Sequence, residues 1–356
     1  MRSAPISSRM WWVMVLGLAT ALGLAGCAAS TDSGASDGKR AVVLVSGVAS
    51  VTPFTTPQAA CTSGLSAGNT WTFMRDYLIT EGFEVYTAPA MDHVDQTVPT
   101  ALPDELRGPF EGCPEQLPRE STITSIDVPE AAGERLANFL TFLNSEYGVT
   151  SVDVVAHSLG GLFSRNGIRE VQQSGSPVTI HSLTTLGSPW EAVMLAIPPF
   201  RPKKACDGLP VCMEVVRELE QIKEVRGIVE FFQPDKFGPW TEAQAGVLDG
   251  IPVTLVAGTM FTKPGGDPRK WPNDGLIQER AALGMSIPDS VLPQRSCYAF
   301  PFAHSMLVAT RVGAPESQAI TWNERVGSVV ANGLRTAGTA NQAPNRLGCP
   351  GVSPKP

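Results

Sequence analysis

Ser151-Val152-Asp153-Val154-Val155 runs directly into Ala156-His157-Ser158-Leu159-Gly160-Gly161 and then into Leu162-Phe163-Ser164-Arg165. The first five residues form a short run of the β-branched kind found in strands, and the last four read as the opening of a helix. Between them a serine occupies a tight strand-to-helix turn. Such a turn thrusts the hydroxyl out above a sheet, and it needs small neighbours because a larger side chain would clash with adjacent backbone. The pattern is close to G-x-S-x-G, with Ala156 in place of the first glycine.

The sequence around this turn alternates strands with helices. Ala41-Val42-Val43-Leu44-Val45, bounded by Ser46-Gly47, has the continuous apolar character of a strand buried on both faces of a parallel sheet. A helix is expected over 69–80 and a strand over 82–86. Residues 88–127 are rich in Pro and Gly without clear periodicity and read as one long loop. A helix over 128–147 carries Ala132, Leu136, Phe139, Leu140 and Leu143 on one face. Strands are expected over 178–186 and 251–257, separated by a region of mixed helical pattern. The fold class is therefore α/β, with a mostly parallel central sheet covered by helices on both faces.

The chain has 356 residues, 43% of them hydrophobic, enough to fill a sizeable core. Its 34 acidic and 27 basic residues give a formal charge of -7 with no basic patch, which sets nucleic acid aside as a partner. At the N-terminus, Arg2 and Arg9 flank a polar start, an apolar run follows over 10–25, and Leu24-Ala25-Gly26-Cys27 closes it. This is an export signal, short for a spanning helix, which needs roughly 20 apolar residues. Small residues just before Cys27 resemble the lipobox of bacterial lipoproteins. That resemblance implies a lipidated Cys27, a membrane anchor, and a location at the cell surface or envelope. The expected organisation is a signal peptide over 1–26, a flexible tether over 27–39, a folded domain over 40–335 and a C-terminal tail over 336–356.

Without Cys27, six of the seven cysteines remain. An even number in an exported chain suggests disulfides, and proximity along the chain selects Cys61 with Cys113, Cys206 with Cys212 and Cys297 with Cys349. No Cys-x-x-Cys or His-rich run suggests a metal.

A serine hydroxyl is a poor nucleophile until a base takes its proton, so Ser158 requires a histidine oriented by a carboxylate. Of the four histidines, His93 lies in the long loop before the turn. His157 adjoins Ser158, too close in sequence to turn back onto its hydroxyl, and His181 falls within an expected strand. His304, in Phe300-Pro301-Phe302-Ala303-His304-Ser305, is late in the chain and loop-like, which makes it the expected base. The acid is expected between serine and histidine, after the strand at 251–257. Asp274 in Asn273-Asp274-Gly275-Leu276-Ile277 fits best, with Asp249, Asp267 and Asp289 left open. An oxyanion needs preorganised N–H donors. Leu159 is expected to supply one by following the nucleophile, and Val48, in the loop after the first strand, the other.

These motifs, together with Leu183-Thr184-Thr185-Leu186-Gly187-Ser188-Pro189, resemble bacterial lipases of the α/β-hydrolase superfamily over most of residues 40–335. The resemblance implies a serine carboxylic-ester hydrolase that cleaves lipid or other apolar esters through an acyl-enzyme on Ser158, without a cofactor. It also implies a lid over about 190–249. There Met194, Leu195, Ile197 and Phe200, then Val215, Val216, Ile228, Val229, Phe231 and Phe232, supply apolar surface. The chain departs from the family in two places. Ser46-Gly47 stands where such lipases usually have His-Gly, which bears on the oxyanion site. Pro189-Trp190 stands where many have Pro-His, a change expected to reshape the pocket rim. A cell-envelope acyltransferase with the same triad, or a catalytically silent surface binding protein, would share the motifs.

Overall fold

In β1 (Lys39–Val45), Ala41, Val43 and Val45 pack into a core on one side of the sheet, while Val42 and Leu44 pack into a second core on the other. This two-sided burial explains the unbroken apolar run. The structure is a computed structural model describing residues 38–62, 64–92, 113, 117–192, 206–222, 225–337, 346–347 and 349. The expected export signal over 1–26, Cys27, nearly all of the expected tether, His93, and Met194, Leu195, Ile197 and Phe200 lie outside the described residues.

From β1 the chain passes through α1 (Gly68–Thr80), β2 (Val85–Thr87), the short strands β3 (Ala90–Met91) and β4 (Ile123–Thr124), α2 (Pro129–Tyr147), β5 (Val149–His157) and α3 (Gly160–Ser174). After β6 (Thr179–Leu186) come three helices, α4 (Pro210–Gln221), α5 (Val225–Phe231) and α6 (Pro234–Glu242), before β7 (Val253–Gly258). The chain then forms α7 (Glu279–Ala282), β8 (Arg295–Phe300), α8 (Met306–Arg311), α9 (Glu324–Thr336) and β9 (Arg346–Leu347). The main sheet has the order β2-β1-β5-β6-β7-β8-β9, and every pairing in it is parallel.

Helices cover both faces. Leu136, Phe139, Leu140 and Leu143 of α2 and Leu162 and Phe163 of α3 fill one core. Trp71, Met74 and Leu78 of α1 and Val326, Val330 and Leu334 of α9 fill the other. Helix α2 starts at Pro129, whose missing N–H costs nothing in the first turn, and stops at Gly148 with φ 68°. This is the expected α/β class with a mostly parallel sheet; the Ser158 turn follows β5, Asp274 follows β7, and His304 follows β8.

Some expectations need correction. The stretch read as one long loop over 88–127 contains a two-stranded parallel sheet, with Ala90 opposite Ile123 and Met91 opposite Thr124. Strand β8 was not expected, because Arg295-Ser296-Cys297-Tyr298-Ala299-Phe300 lacks a β-branched run. Arg295 is nevertheless buried, with its guanidinium donating to the carbonyls of Gly284 and Ile287. Residues 346–347, from the stretch read as tail, pair with β8. The cysteines form the expected pairs, Cys61–Cys113, Cys206–Cys212 and Cys297–Cys349.

In the middle of β5, the buried carboxylate of Asp153 ties three strands together. Arg40 of β1 donates from Nε to Oδ2 at 2.6 Å and from Nη2 to Oδ1 at 3.0 Å, and Ser182 Oγ and His181 Nδ1 of β6 contact Oδ1 at 2.5 and 3.0 Å. Asp153→Ala strands a guanidinium and two β6 side chains without their acceptor. It is expected to lower unfolding free energy by about 2–3 kcal/mol, read from urea denaturation midpoints at unchanged m-value.

Candidate active site

The parallel register brings the C-terminal ends of the central strands to one edge, with Val45 opposite Ala156, His157 opposite Leu186, and Leu186 opposite Val256. The loops leaving that edge carry the residues singled out in the sequence. Ser158 has φ 55°, a left-handed conformation that a residue with a Cβ adopts only when its surroundings enforce it. Its N–H donates to Leu186 O at 3.0 Å, and its carbonyl accepts from Gly161 N at 3.1 Å as α3 begins.

The loop after β1 crosses directly over this turn. A Cβ on Gly47 would lie 2.6 Å from Ser158 Cβ and 2.9 Å from Leu159 N, so only glycine fits. Ser46 bonds from Oγ to Thr52 Oγ1 at 2.8 Å. Thr52 and Ala90 exchange backbone hydrogen bonds at 2.8 and 2.9 Å. Ala49 N donates to Ser125 O at 3.3 Å. The supposed long loop therefore supports the segment that carries Val48. Val48 and Leu159 both line the cavity at Ser158, and among the described residues neither amide N–H has an acceptor.

Of the acids considered, Asp274 is the one beside His304. Nδ1 of His304 donates to Asp274 Oδ2 at 2.7 Å, and the backbone N–H of His304 donates to Asp274 O at 2.8 Å. The other carboxylate oxygen accepts from Leu276 N at 2.9 Å and Ile277 N at 2.7 Å. With Nδ1 committed as donor, Nε2 is left as the basic nitrogen. Gly187, with φ 58°, leaves room for the pair: a Cβ there would sit 3.0 Å from both Asp274 Oδ2 and His304 Nδ1. Both side chains are buried. No Ser158–His304 hydrogen bond is present among the described residues, and such contacts commonly tighten only when substrate is bound.

A cavity of about 380 Å³ opens at Ser158, Leu159 and Val48, within the size range of small-ligand sites. Leu276 and Ile277 wall it from the body, and Val216, Ile222, Ile228 and Phe232 from the α4–α6 insertion. Its charged lining residues, Glu220, Arg226 and Glu230, are exposed; His304 is not part of the lining. The insertion is fastened at several points. Arg311, on the helix after His304, donates to Glu218 of α4 at 2.7 Å. Asp207, inside the Cys206–Cys212 loop, accepts from Lys263 Nζ at 2.8 Å and Trp271 Nε1 at 2.9 Å, and these hydrogen bonds hold its carboxyl down at about 2.

Two residues beside the site stand differently from what the sequence suggested. His157, set aside for its closeness to Ser158, places Nε2 2.8 Å from the backbone carbonyl of His304. Burial first, and the charge of His304 second, hold its imidazole well below the usual histidine range. Trp190 was expected at the pocket rim and is instead 1% exposed, with Nε1 donating to Thr185 Oγ1 at 3.0 Å. The Arg165 guanidinium lies 4.7 Å from its ring and 4.5 Å from that of Trp240 in α6. Among the described residues no group of three or more His, Cys, Asp or Glu side chains could hold a metal ion.

The chain matches no protein-family model and no curated protein sequence. Its fold is similar to those of several solved structures. The mature form of a Bacillus licheniformis lipase has 12% identity and a TM-score of 0.48 over 83% of this chain and 93% of that one. An esterase from Pyrococcus furiosus has 13% identity and a TM-score of 0.43 over 85% and 84%. A lipase-esterase related protein from Clostridium acetobutylicum has 12% identity and a TM-score of 0.40 over 85% and 95%.

Proposed function

We propose that the chain is a serine carboxylic-ester hydrolase acting on esters with an apolar acyl group, with Ser158, His304 and Asp274 as its triad. The observation that carries this reading is the 2.7 Å bond from His304 Nδ1 to a carboxylate whose second oxygen is held by two backbone N–H groups, on the same sheet edge as the positive-φ serine. His304 Nε2 takes the proton of Ser158 as Oγ adds to the ester carbonyl. The N–H groups of Leu159 and Val48 hold the resulting oxyanion. The intermediate collapses, and the proton passes from Nε2 to the departing alkoxide. Water, deprotonated by the same nitrogen, then releases the acyl group as a carboxylic acid.

The acyl group lies against the apolar wall formed by Val216, Ile228 and Phe232, which favours fatty or other greasy esters over polar ones. The N-terminal motif fits the same picture: export and lipidation at Cys27 would hold the enzyme at a membrane surface, beside lipid substrates.

The test is hydrolysis of a p-nitrophenyl ester series from acetate to palmitate by the chain from Ala28 onward. Ser158→Ala is expected to reduce turnover to background. Asp274→Asn is expected to lower kcat by about 10³–10⁴, because the amide can favour the wrong imidazole tautomer. Ester-independent labelling of Ser158 by an organophosphorus reagent, without hydrolysis, would move the reading to acyl transfer onto an alcohol, and no labelling would favour a silent binding protein. For the pocket, Ile228→Trp fills the insertion wall and is expected to lower kcat/KM at least about tenfold more for palmitate than for acetate, a differential of roughly 1.4 kcal/mol.

A further inference from the structure

His157 is the last residue of β5, and its ring is 5% exposed. A carbonyl can only accept, so the 2.8 Å contact with His304 O requires the hydrogen to be on Nε2 and leaves Nδ1 bare. The two imidazole rings are 4.5 Å apart between centroids. On its other side His157 meets Trp71 of α1 edge to face, at 6.3 Å. The backbone of the base loop is further held by His304 N donating to Asp274 O and Ala303 N donating to Gln318 O, at 2.8 and 2.7 Å. Of these contacts, the one from His157 comes from the strand that carries the nucleophile, one residue before it.

We propose that His157 is a positioning residue for the base: it locks the His304 loop onto the end of β5 and so fixes the separation between the Ser158 hydroxyl and the His304 imidazole. The inference rests on the hydrolase reading above. The register between two consecutive residues is rigid, so whatever holds His157 against His304 also holds Ser158 near it. A misplacement of about 1 Å between reacting groups costs on the order of a hundredfold in rate. The identity of the side chain follows from the chemistry beside it. During turnover His304 becomes a cation next to His157, and a second cation there would oppose that protonation. The titratable group facing His157 is His304, backed by Asp274, while α1 presents the neutral Trp71. A buried imidazole that stays neutral gives an N–H donor without a competing charge.

The experiment compares His157→Gln, which keeps an N–H donor, with His157→Phe, which keeps the ring and its packing, in the chain from Ala28 onward. With p-nitrophenyl butyrate, His157→Phe is expected to lower kcat by roughly 10- to 100-fold with KM within about threefold, and His157→Gln to recover most of the loss. Imidazole nitrogen NMR of the wild type is expected to show His157 as the neutral Nε2–H tautomer from pH 8 to pH 5. Phe matching or exceeding Gln in kcat would reduce His157 to packing and overturn the proposal, as would an Nδ1–H tautomer or titration in the ordinary histidine range. Wild-type protein without turnover that depends on Ser158 would instead overturn the hydrolase reading, which the Ser158→Ala control identifies, and the positioning role would fall with it.

Discussion

The site depends on one unfavourable backbone conformation. A serine at φ 55° costs on the order of 1–3 kcal/mol and persists only where the surroundings over-determine it. Here they do. Strand β5 is paired on both sides along its length, the Ser158 N–H is taken by Leu186 of the neighbouring strand, and α3 starts two residues later. Gly47 presses onto the turn so closely that no Cβ could intervene. The strain is thus carried by the most heavily paired part of the sheet. Its product is a side chain at the mouth of an apolar cavity, with two candidate oxyanion donors beside it.

The parts of this arrangement that the sequence reveals are those dictated locally. β1, β5 and the core face of α2 were legible because burial on both faces, or on one helical stripe, leaves a compositional trace. The turn at Ser158 and the pairing of Asp274 with His304 were legible because tight turns restrict residue type and the chain has only four histidines. Strand β8 and the β3–β4 pair leave no such trace, since short or partly polar strands are specified by the partners they meet. Helix α9 does leave one: Val326, Val330 and Leu334 recur at intervals of four, behind an Asn323 whose side chain caps Arg325 N. His157 was judged by the reach of its side chain to the neighbouring hydroxyl, whereas its partner is a backbone carbonyl 147 residues away, which no local pattern encodes.

Buried charge is handled in three different ways. Asp274 accepts two backbone N–H bonds and one from His304. Asp153 is matched by the Arg40 guanidinium and two β6 side chains. Arg165 is 1% exposed, and among the described residues none of its guanidinium nitrogens has a hydrogen-bond partner; two indole faces enclose it instead. Each face contributes about 2 kcal/mol when dry, against a desolvation penalty of several kcal/mol. The balance is close, in line with a pKa that burial brings down to about 9. A planar cation can occupy such a slot where an ammonium could not stack.

Trp190, after β6, forms one wall of that slot around Arg165; Trp240, from the insertion, forms the other. The two indoles therefore join α6 to α3, the helix that begins just after Ser158. Ser46, after β1, reaches Thr52 through its hydroxyl, and the Thr52 backbone is paired with Ala90. One set of contacts acts on the frame of the apolar wall and the other on the loop that presents Val48. An oxyanion site works through donors fixed before the charge develops and kept from water when it does. On that physical ground, what a Val48 donor would require is a loop held still, and the Ser46–Thr52–Ala90 contacts supply that hold through hydroxyl and backbone groups.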